Sequence, residues 1–202
     1  MSELRVALTF DAEHPSRAGQ STDAPHRILD VLHRTGVRGT FFLQGRWATA
    51  FPATARRIAE DGHLVGNHSN YHAPMTLLSA EGIRADVGRA EERIAEVTGA
   101  NPRPWFRCPF GDGADAPNVR ETLEAIGYRN VSWSVDPDDW METATPKGIA
   151  EAVVLGAESL PQSNVVFHTW SSATAAALED VIERLRAGHA SFLTVSELAD
   201  DA

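Results

Sequence analysis

Two histidines four residues apart close the run His68-Ser69-Asn70-Tyr71-His72. On a helical turn, residues i and i+4 share a face, so this spacing lets two imidazoles grip one metal ion. Two acids, Asp11 and Glu13, bracket Ala12 at the end of an apolar run. Side chains two apart on an extended chain point the same way, so both carboxylates can enter one pocket. One would complete a two-histidine, one-carboxylate site with open positions for water and substrate, and the other would act as general base. His168 follows Val165-Val166-Phe167. It is placed to give a proton to a leaving group, with Asp136 and Asp139 as acids that would keep it charged and oriented. Arg107, in Arg107-Cys108-Pro109-Phe110, would hold a carboxylate base ionised and in place.

Ordinary roles compete with each of these: an acidic loop, a core histidine, a surface ion pair. The other histidines, His14, His26, His33, His63 and His189, have no comparable context and read as surface or structural residues. Trp105, Trp133, Trp140 and Trp170 fall near the same stretches, and Trp140 is the one expected in a pocket, where an indole stacks on a sugar ring.

What must position these residues is an alternation of short strands and helices. Strand-like runs are expected over 4–10, 39–43, 63–66, 105–108, 131–135, 165–167 and 191–195, each bounded by polar residues, Gly or Pro. The clearest helix starts after Ser79, a good N-cap, and stops before Gly99, a good terminating residue. Its apolar positions Ile83, Val87, Ala90, Ile94 and Val97 make one stripe. Two more helices are expected from Asp23 towards Gly36 and from Thr174 to Gly188. This alternation implies an α/β fold with a parallel sheet and helices outside it. Seven strands suggest a partial barrel one unit short of eight, with an open doubly wound sheet as the alternative. In α/β barrels active sites gather at the C-terminal ends of the strands. Asp11, Glu13, His68, His72, Arg107, Asp136, Asp139 and His168 all follow or end an expected strand.

Composition narrows the classes. The 202 residues suit one domain spanning 1–202. With 28 acids against 18 Lys and Arg, the formal net charge of -10 argues against nucleic acid or an anionic membrane as partner. Cys108 is the single cysteine, so no internal disulfide forms. The opening Met1-Ser2-Glu3 carries no leader-like run, no apolar stretch approaches membrane-spanning length, and the chain is expected to be cytoplasmic. Oligomeric state is not legible.

The motifs, taken in order, resemble the polysaccharide deacetylases, the NodB-homology domain of carbohydrate esterase family four. Thr9-Phe10-Asp11 is similar to the first motif of that family, and Gly39-Thr40-Phe41-Phe42-Leu43-Gln44-Gly45 resembles its second strand. Gly66-Asn67-His68-Ser69-Asn70-Tyr71-His72 looks like the second motif and Arg107-Cys108-Pro109-Phe110-Gly111 like the third. Asp136-Pro137-Asp138-Asp139-Trp140 is similar to the fourth and Val166-Phe167-His168 to the fifth. The resemblance implies a distorted (β/α)7-type partial barrel and release of acetate from an N- or O-acetylated sugar. It makes Asp11 the base held by Arg107, and His168 the acid supported by Asp139. It gives Tyr71, Phe110 and Trp140 to the substrate, with a backbone N–H near Phe110 for the oxyanion. It also implies one divalent ion, expected to be zinc, with cobalt or another first-row metal as alternatives.

One departure bears on the ligand set. Ala12 stands where the common first motif has its metal-binding aspartate, and Glu13-His14-Pro15 replaces the usual Gly-Pro. The spaced pair Asp11 and Glu13 resembles a branch of the family that includes enzymes of cyclic amides and ureides. Glu13, reaching further by one methylene, is therefore expected as the ligand beside His68 and His72. Hydrolysis of a cyclic imide is the alternative activity, and a degenerate sugar-binding domain without catalysis is a second alternative. A smaller departure is Thr169, where an aspartate often follows the last motif.

Overall fold

The computed structural model describes residues 4–16 and 21–200. Met1, Ser2 and Glu3, on which the reading of the N-terminus rests, lie outside them. Strand and helix alternate: β1 (Leu4–Ala12), α1 (Ala24–Thr35), β2 (Thr40–Leu43), α2 (Gly45–Ala50), α3 (Pro52–Glu60), β3 (Leu64–Asn67), α4 (Ala80–Thr98) and β4 (Trp105–Phe106). Then follow α5 (Pro117–Ala125), β5 (Arg129–Asn130), α6 (Pro146–Glu158), β6 (Gln162–His168), α7 (Ser172–Ala187), β7 (Ala190–Leu193) and α8 (Val195–Asp200). The α/β alternation expected from the sequence is present, and the pairs β1–β7, β3–β4 and β4–β5 are parallel. Among the described residues no helix is long and apolar enough to cross a membrane.

The chain divides into two compact units, with one boundary inside β1 between Phe10 and Asp11. Among the described residues the first comprises 4–10, 21–40 and 133–200, the second 11–16 and 41–132. In the first, β6 and β7 flank β1, and α7 packs on α1 and α6. Leu8, Phe10, Val165 and Phe167 are buried there, and the rings of Phe10 and Phe167 stack at 5.5 Å. A continuous apolar run of this kind fits a strand covered on both faces.

In the second unit the strand order is β5-β4-β3-β2, followed by the end of β1, whose Ala12 carbonyl accepts from Gln44 N–H at 2.9 Å. Its core gathers Met75, Ile83, Val87, Phe106, Cys108, Val119, Leu123 and Tyr128. Helix α4 contributes the stripe seen in the sequence: Ile83, Val87, Ala90 and Ile94 are buried. Ser79 caps it by accepting from Gly82 N–H at 3.1 Å, and Gly99, at φ 71°, ends it.

Two of the expected strands need correction. The fifth strand is Arg129–Asn130, not 131–135. Arg129 N–H bonds Pro104 O and Val131 N–H bonds Phe106 O, each at 2.7 Å, after which the chain leaves the ladder and only Val135 makes an isolated bridge, to Val165. The apolar residues of 131–135 drew the sequence reading there. The true strand lies at the end of the sheet order, where polar side chains meet water. The fourth strand is also shorter than expected: after Phe106 the Cys108 N–H turns to the Asn130 side chain at 2.9 Å.

Candidate active site

The second unit holds a loop, residues 68–72, directly after β3. It is not the helical turn expected from the i, i+4 spacing, because Ser69 and His72 both have positive φ, 63° and 59°. Side chains hold this costly backbone. Asn67 accepts from Ser69 N–H at 2.9 Å, and Ser69 Oγ accepts from His72 N–H at 2.8 Å. Buried Asp86 on α4 accepts from Asn70 N–H at 2.9 Å and Tyr71 N–H at 3.2 Å. The loop also lies hard against α2, where Gly45 N–H bonds Ser69 O and a Cβ on Gly45 would meet Asn70 Oδ1 at 2.7 Å. The two histidines converge all the same, with Nε2 atoms 3.1 Å apart.

His68 Nδ1 donates to the Arg107 carbonyl at 2.9 Å, a bond that turns the Nε2 lone pair towards Glu13. Glu13 Oε2 lies 3.2 Å from His68 Nε2 and in close contact with His72 Nε2. One ligand atom from each of Glu13, His68 and His72 falls within 4.8 Å of the others, and all three residues are buried. Ligands at zinc bond lengths of 2.0–2.1 Å in tetrahedral array sit about 3.3 Å apart. The edges from His68 Nε2 to Glu13 Oε2 and to His72 Nε2 match that spacing. Burial opposes the charge on Glu13, but hydrogen bonds from His14, His68 and His72 outweigh it and hold the carboxyl well below its ordinary range. Burial likewise opposes charge on His68, where Asp11 and Glu13 outweigh it and raise the pKa. In His72 burial wins and the pKa falls. An ionised carboxylate facing two inward imidazole nitrogens is a donor set suited to a divalent cation.

Asp11, the last acid of β1, is buried beside this cluster, its Oδ2 3.6 Å from His68 Nε2. Its Oδ1 accepts from Arg107 Nη1 at 2.9 Å. Arg107 is fully buried: Nε donates to Val131 O at 3.0 Å, and the guanidinium sits 4.2 Å from the Phe42 ring centroid. Tight bonding on both sides makes that arginine a fixed clamp.

The first unit holds the other pair. His168, at the end of β6, has Nδ1 2.6 Å from Asp139 Oδ1, and its N–H donates to Asp139 Oδ2 at 2.9 Å. Asp139 is buried, with Thr174 Oγ1 on its Oδ2 and Ser171 Oγ on its main-chain oxygen. Asp136 shapes the preceding turn by accepting from Asp138 N–H at 2.9 Å, and burial raises its pKa. Trp170 lies 5.3 Å from the His168 ring.

These motifs have close counterparts. The family model for polysaccharide deacetylase matches residues 1–131. The chain belongs to the polysaccharide deacetylase family. Among its relatives is the peptidoglycan-N-acetylmuramic acid deacetylase PdaA of Bacillus subtilis, 29% identical over 97% of this chain and 72% of that protein. The structure of PdaA superposes at a TM-score of 0.85, with 28% identity, over 98% of this chain and 82% of the other. The peptidoglycan-N-acetylglucosamine deacetylase PgdA of Listeria monocytogenes is 32% identical over 96% of this chain, which spans 38% of that longer protein. BA3943 of Bacillus anthracis, described as a family pseudoenzyme, superposes at a TM-score of 0.84 with 27% identity over 97% of this chain and 65% of that one.

In this deacetylase-family chain, Asp11, Glu13, His68, His72 and Arg107 are thus brought together in one unit, and His168 and Asp139 in the other. Phe110, 64% exposed at φ 58°, sets its ring 4.4 Å from His72. Tyr71 and Trp140 are also exposed, at 52% and 45%. His14 corrects the sequence reading: its Nε2 is 3.2 Å from Glu13 Oε1 and its ring is 4.5 Å from that of His72. Its place one residue after Glu13 was the available signal. Asp86 was missed too, although an acid on the buried stripe of α4, beside Val87, marks a polar group with a job inside.

Proposed function

We propose that the protein is a metal-dependent hydrolase that releases acetate from an N-acetylated sugar. The observation that carries this reading is the buried Glu13–His68–His72 cluster with the Asp11–Arg107 pair beside it. Glu13, His68 and His72 would hold a first-row divalent ion, zinc being the best fit to two imidazoles and a carboxylate. Bound there, such an ion supplies Lewis acidity towards water and the acetyl carbonyl. Asp11 takes the proton of the attacking water as the new C–O bond forms, and Arg107 keeps its oxygens aimed. As the C–N bond breaks, His168 Nε2 passes a proton to the departing amine, while Asp139 holds Nδ1. An amine leaves poorly without that proton, so this acid favours N- over O-deacetylation. Tyr71, Phe110 and Trp140 offer exposed rings to the sugar.

The similarity to a family pseudoenzyme, together with Ala12 in the first motif, supports a second reading: a sugar-binding domain without turnover. Purified protein should be incubated with zinc or cobalt and a panel of N-acetylglucosamine oligomers, with acetate and bound metal both measured. Acetate release at one metal per chain is expected. Metal bound at full stoichiometry with no acetate from any sugar would favour the second reading, and a chain that takes up no metal would overturn the first.

A further inference from the structure

A cavity of about 470 Å³ opens in the second unit, lined by His14, Pro15, Ser16, Gln44, Arg46 and Tyr71. It borders the metal-ligand cluster through His14, whose Nε2 faces Glu13 Oε1 at 3.2 Å. None of the described residues that line it is acidic, and buried Glu13 lies behind His14. Arg46 is exposed and forms no ion pair with a carboxylate among the described residues. Its guanidinium carbon sits 5.8 Å from the Tyr71 ring centroid. The Tyr71 hydroxyl accepts from Arg89 Nη1 at 3.0 Å, which fixes the phenol in place. A permanent cation, a phenol bonded to Arg89 and the Ser16 hydroxyl thus line a space next to the proposed reaction centre.

We propose that this cavity is a subsite for a carboxylate carried by the sugar, received by Arg46, so that the preferred substrate is an acidic rather than a neutral acetylated sugar. The proposal rests on the deacetylase reading for what happens at the neighbouring centre, and adds the charge of the substrate. Arg46 supplies the planar two-point donor that matches a carboxylate. Tyr71 offers a ring face and a hydroxyl edge to the sugar that bears it. Because Arg46 is exposed, the attraction is screened, and the preference should weaken as salt rises.

The test separates binding from turnover. NMR titrations of the whole chain with glucuronate, glucose and inorganic phosphate need no acetyl group and no chemistry. Glucuronate should bind more tightly than glucose, with shifts centred on residues 14–16, 44–46 and 71. Arg46→Gln should weaken glucuronate roughly ten-fold, as loss of a charged hydrogen bond does, and Arg46→Lys should recover part of the loss. Equal affinity for glucuronate and glucose, or a glucuronate preference that survives Arg46→Gln, would overturn the proposal. Phosphate bound more tightly than glucuronate, and lost with Arg46→Gln, would overturn the carboxylate assignment in favour of a phosphorylated ligand. In parallel, the ratio of kcat/KM for a carboxylate-bearing N-acetyl sugar over its neutral counterpart should fall in Arg46→Gln. If no acetylated sugar is turned over, the deacetylase reading fails while the binding result still stands on its own.

Discussion

Asp139 grips His168 at two points: one carboxylate oxygen lies 2.6 Å from the ring Nδ1 and the other accepts the backbone N–H at 2.9 Å. Both the ring and the main chain at the end of β6 are therefore fixed by one side chain. With Nδ1 committed, proton exchange falls to Nε2. His168→Ala should keep its metal and slow turnover on an amide substrate by roughly 100-fold or more, as loss of a general acid does. Asp139→Asn leaves one acceptor where the ring Nδ1–H and the backbone N–H each need one, and should cost a comparable factor. Metal analysis beside steady-state kinetics checks both, and turnover near that of the parent protein would remove His168 from the chemistry.

The spaced acids should separate by role. Glu13→Ala is expected to lose stoichiometric metal, as are His68→Ala and His72→Ala, because each removes one of three converging ligand atoms. Asp11→Asn is expected to retain metal and lose acetate release, since it keeps the shape of the side chain that Arg107 clamps. Equilibrium dialysis against zinc, read with an acetate assay, distinguishes them. Loss of metal in Asp11→Asn with retention in Glu13→Ala would reverse the assignment.

His14 acts on the cluster from outside it. Its Nε2 meets the Glu13 oxygen that faces away from His68 and His72. Hydrogen-bonded partners of this kind orient a ligand, and their loss lowers metal affinity by roughly 10- to 100-fold. Competition with a chromophoric chelator should show that drop in His14→Ala and partial recovery in His14→Gln.

Gly45 is needed for space. A Cβ there would lie 2.7 Å from Asn70 Oδ1 and 2.8 Å from Ala90 Cα, on the histidine loop and on α4. Gly45→Ala should destabilise the fold by about 1–3 kcal/mol, the usual range for overpacking. Chemical denaturation would measure it, and metal affinity should fall in parallel if the histidine loop moves.

Cys108 sets a pH dependence. Burial, with a smaller contribution from Asp112, pushes its thiol up to about 12. Between its ordinary pKa, near 8.5, and that value the folded chain holds a proton that the unfolded chain gives up. Stability from this group is therefore complete below about pH 8.5 and is lost progressively as pH rises towards 12. The native protein should resist iodoacetamide at pH 8 and become labelled only on unfolding, as read by intact mass.

The candidate residues stand out in one dimension, Asp11, Glu13, His68, His72 and Arg107 in one unit and Asp139 and His168 in the other, because reactive side chains recur just past apolar runs, and those runs set where strands end. The limits of α4 are equally local: Ser79 bonds an N–H three residues away, and Gly99 adopts a backbone that other residues resist. Partners distant in sequence decided the rest. The histidine loop is not helical because Asp86, sixteen residues beyond Asn70, captures its N–H groups and Gly45 lets α2 press against it. The fifth strand lies at polar Arg129–Asn130 because Pro104 and Phe106 offer carbonyls there, which no count of apolar residues reveals. His14 meets the Glu13–His68–His72 cluster, and Arg46 the cavity beside it, only once the end of β1, the chain after β2 and the loop after β3 are side by side. Side-chain type and spacing determined the chemistry on offer, while backbone hydrogen bonding over long separations determined which groups meet.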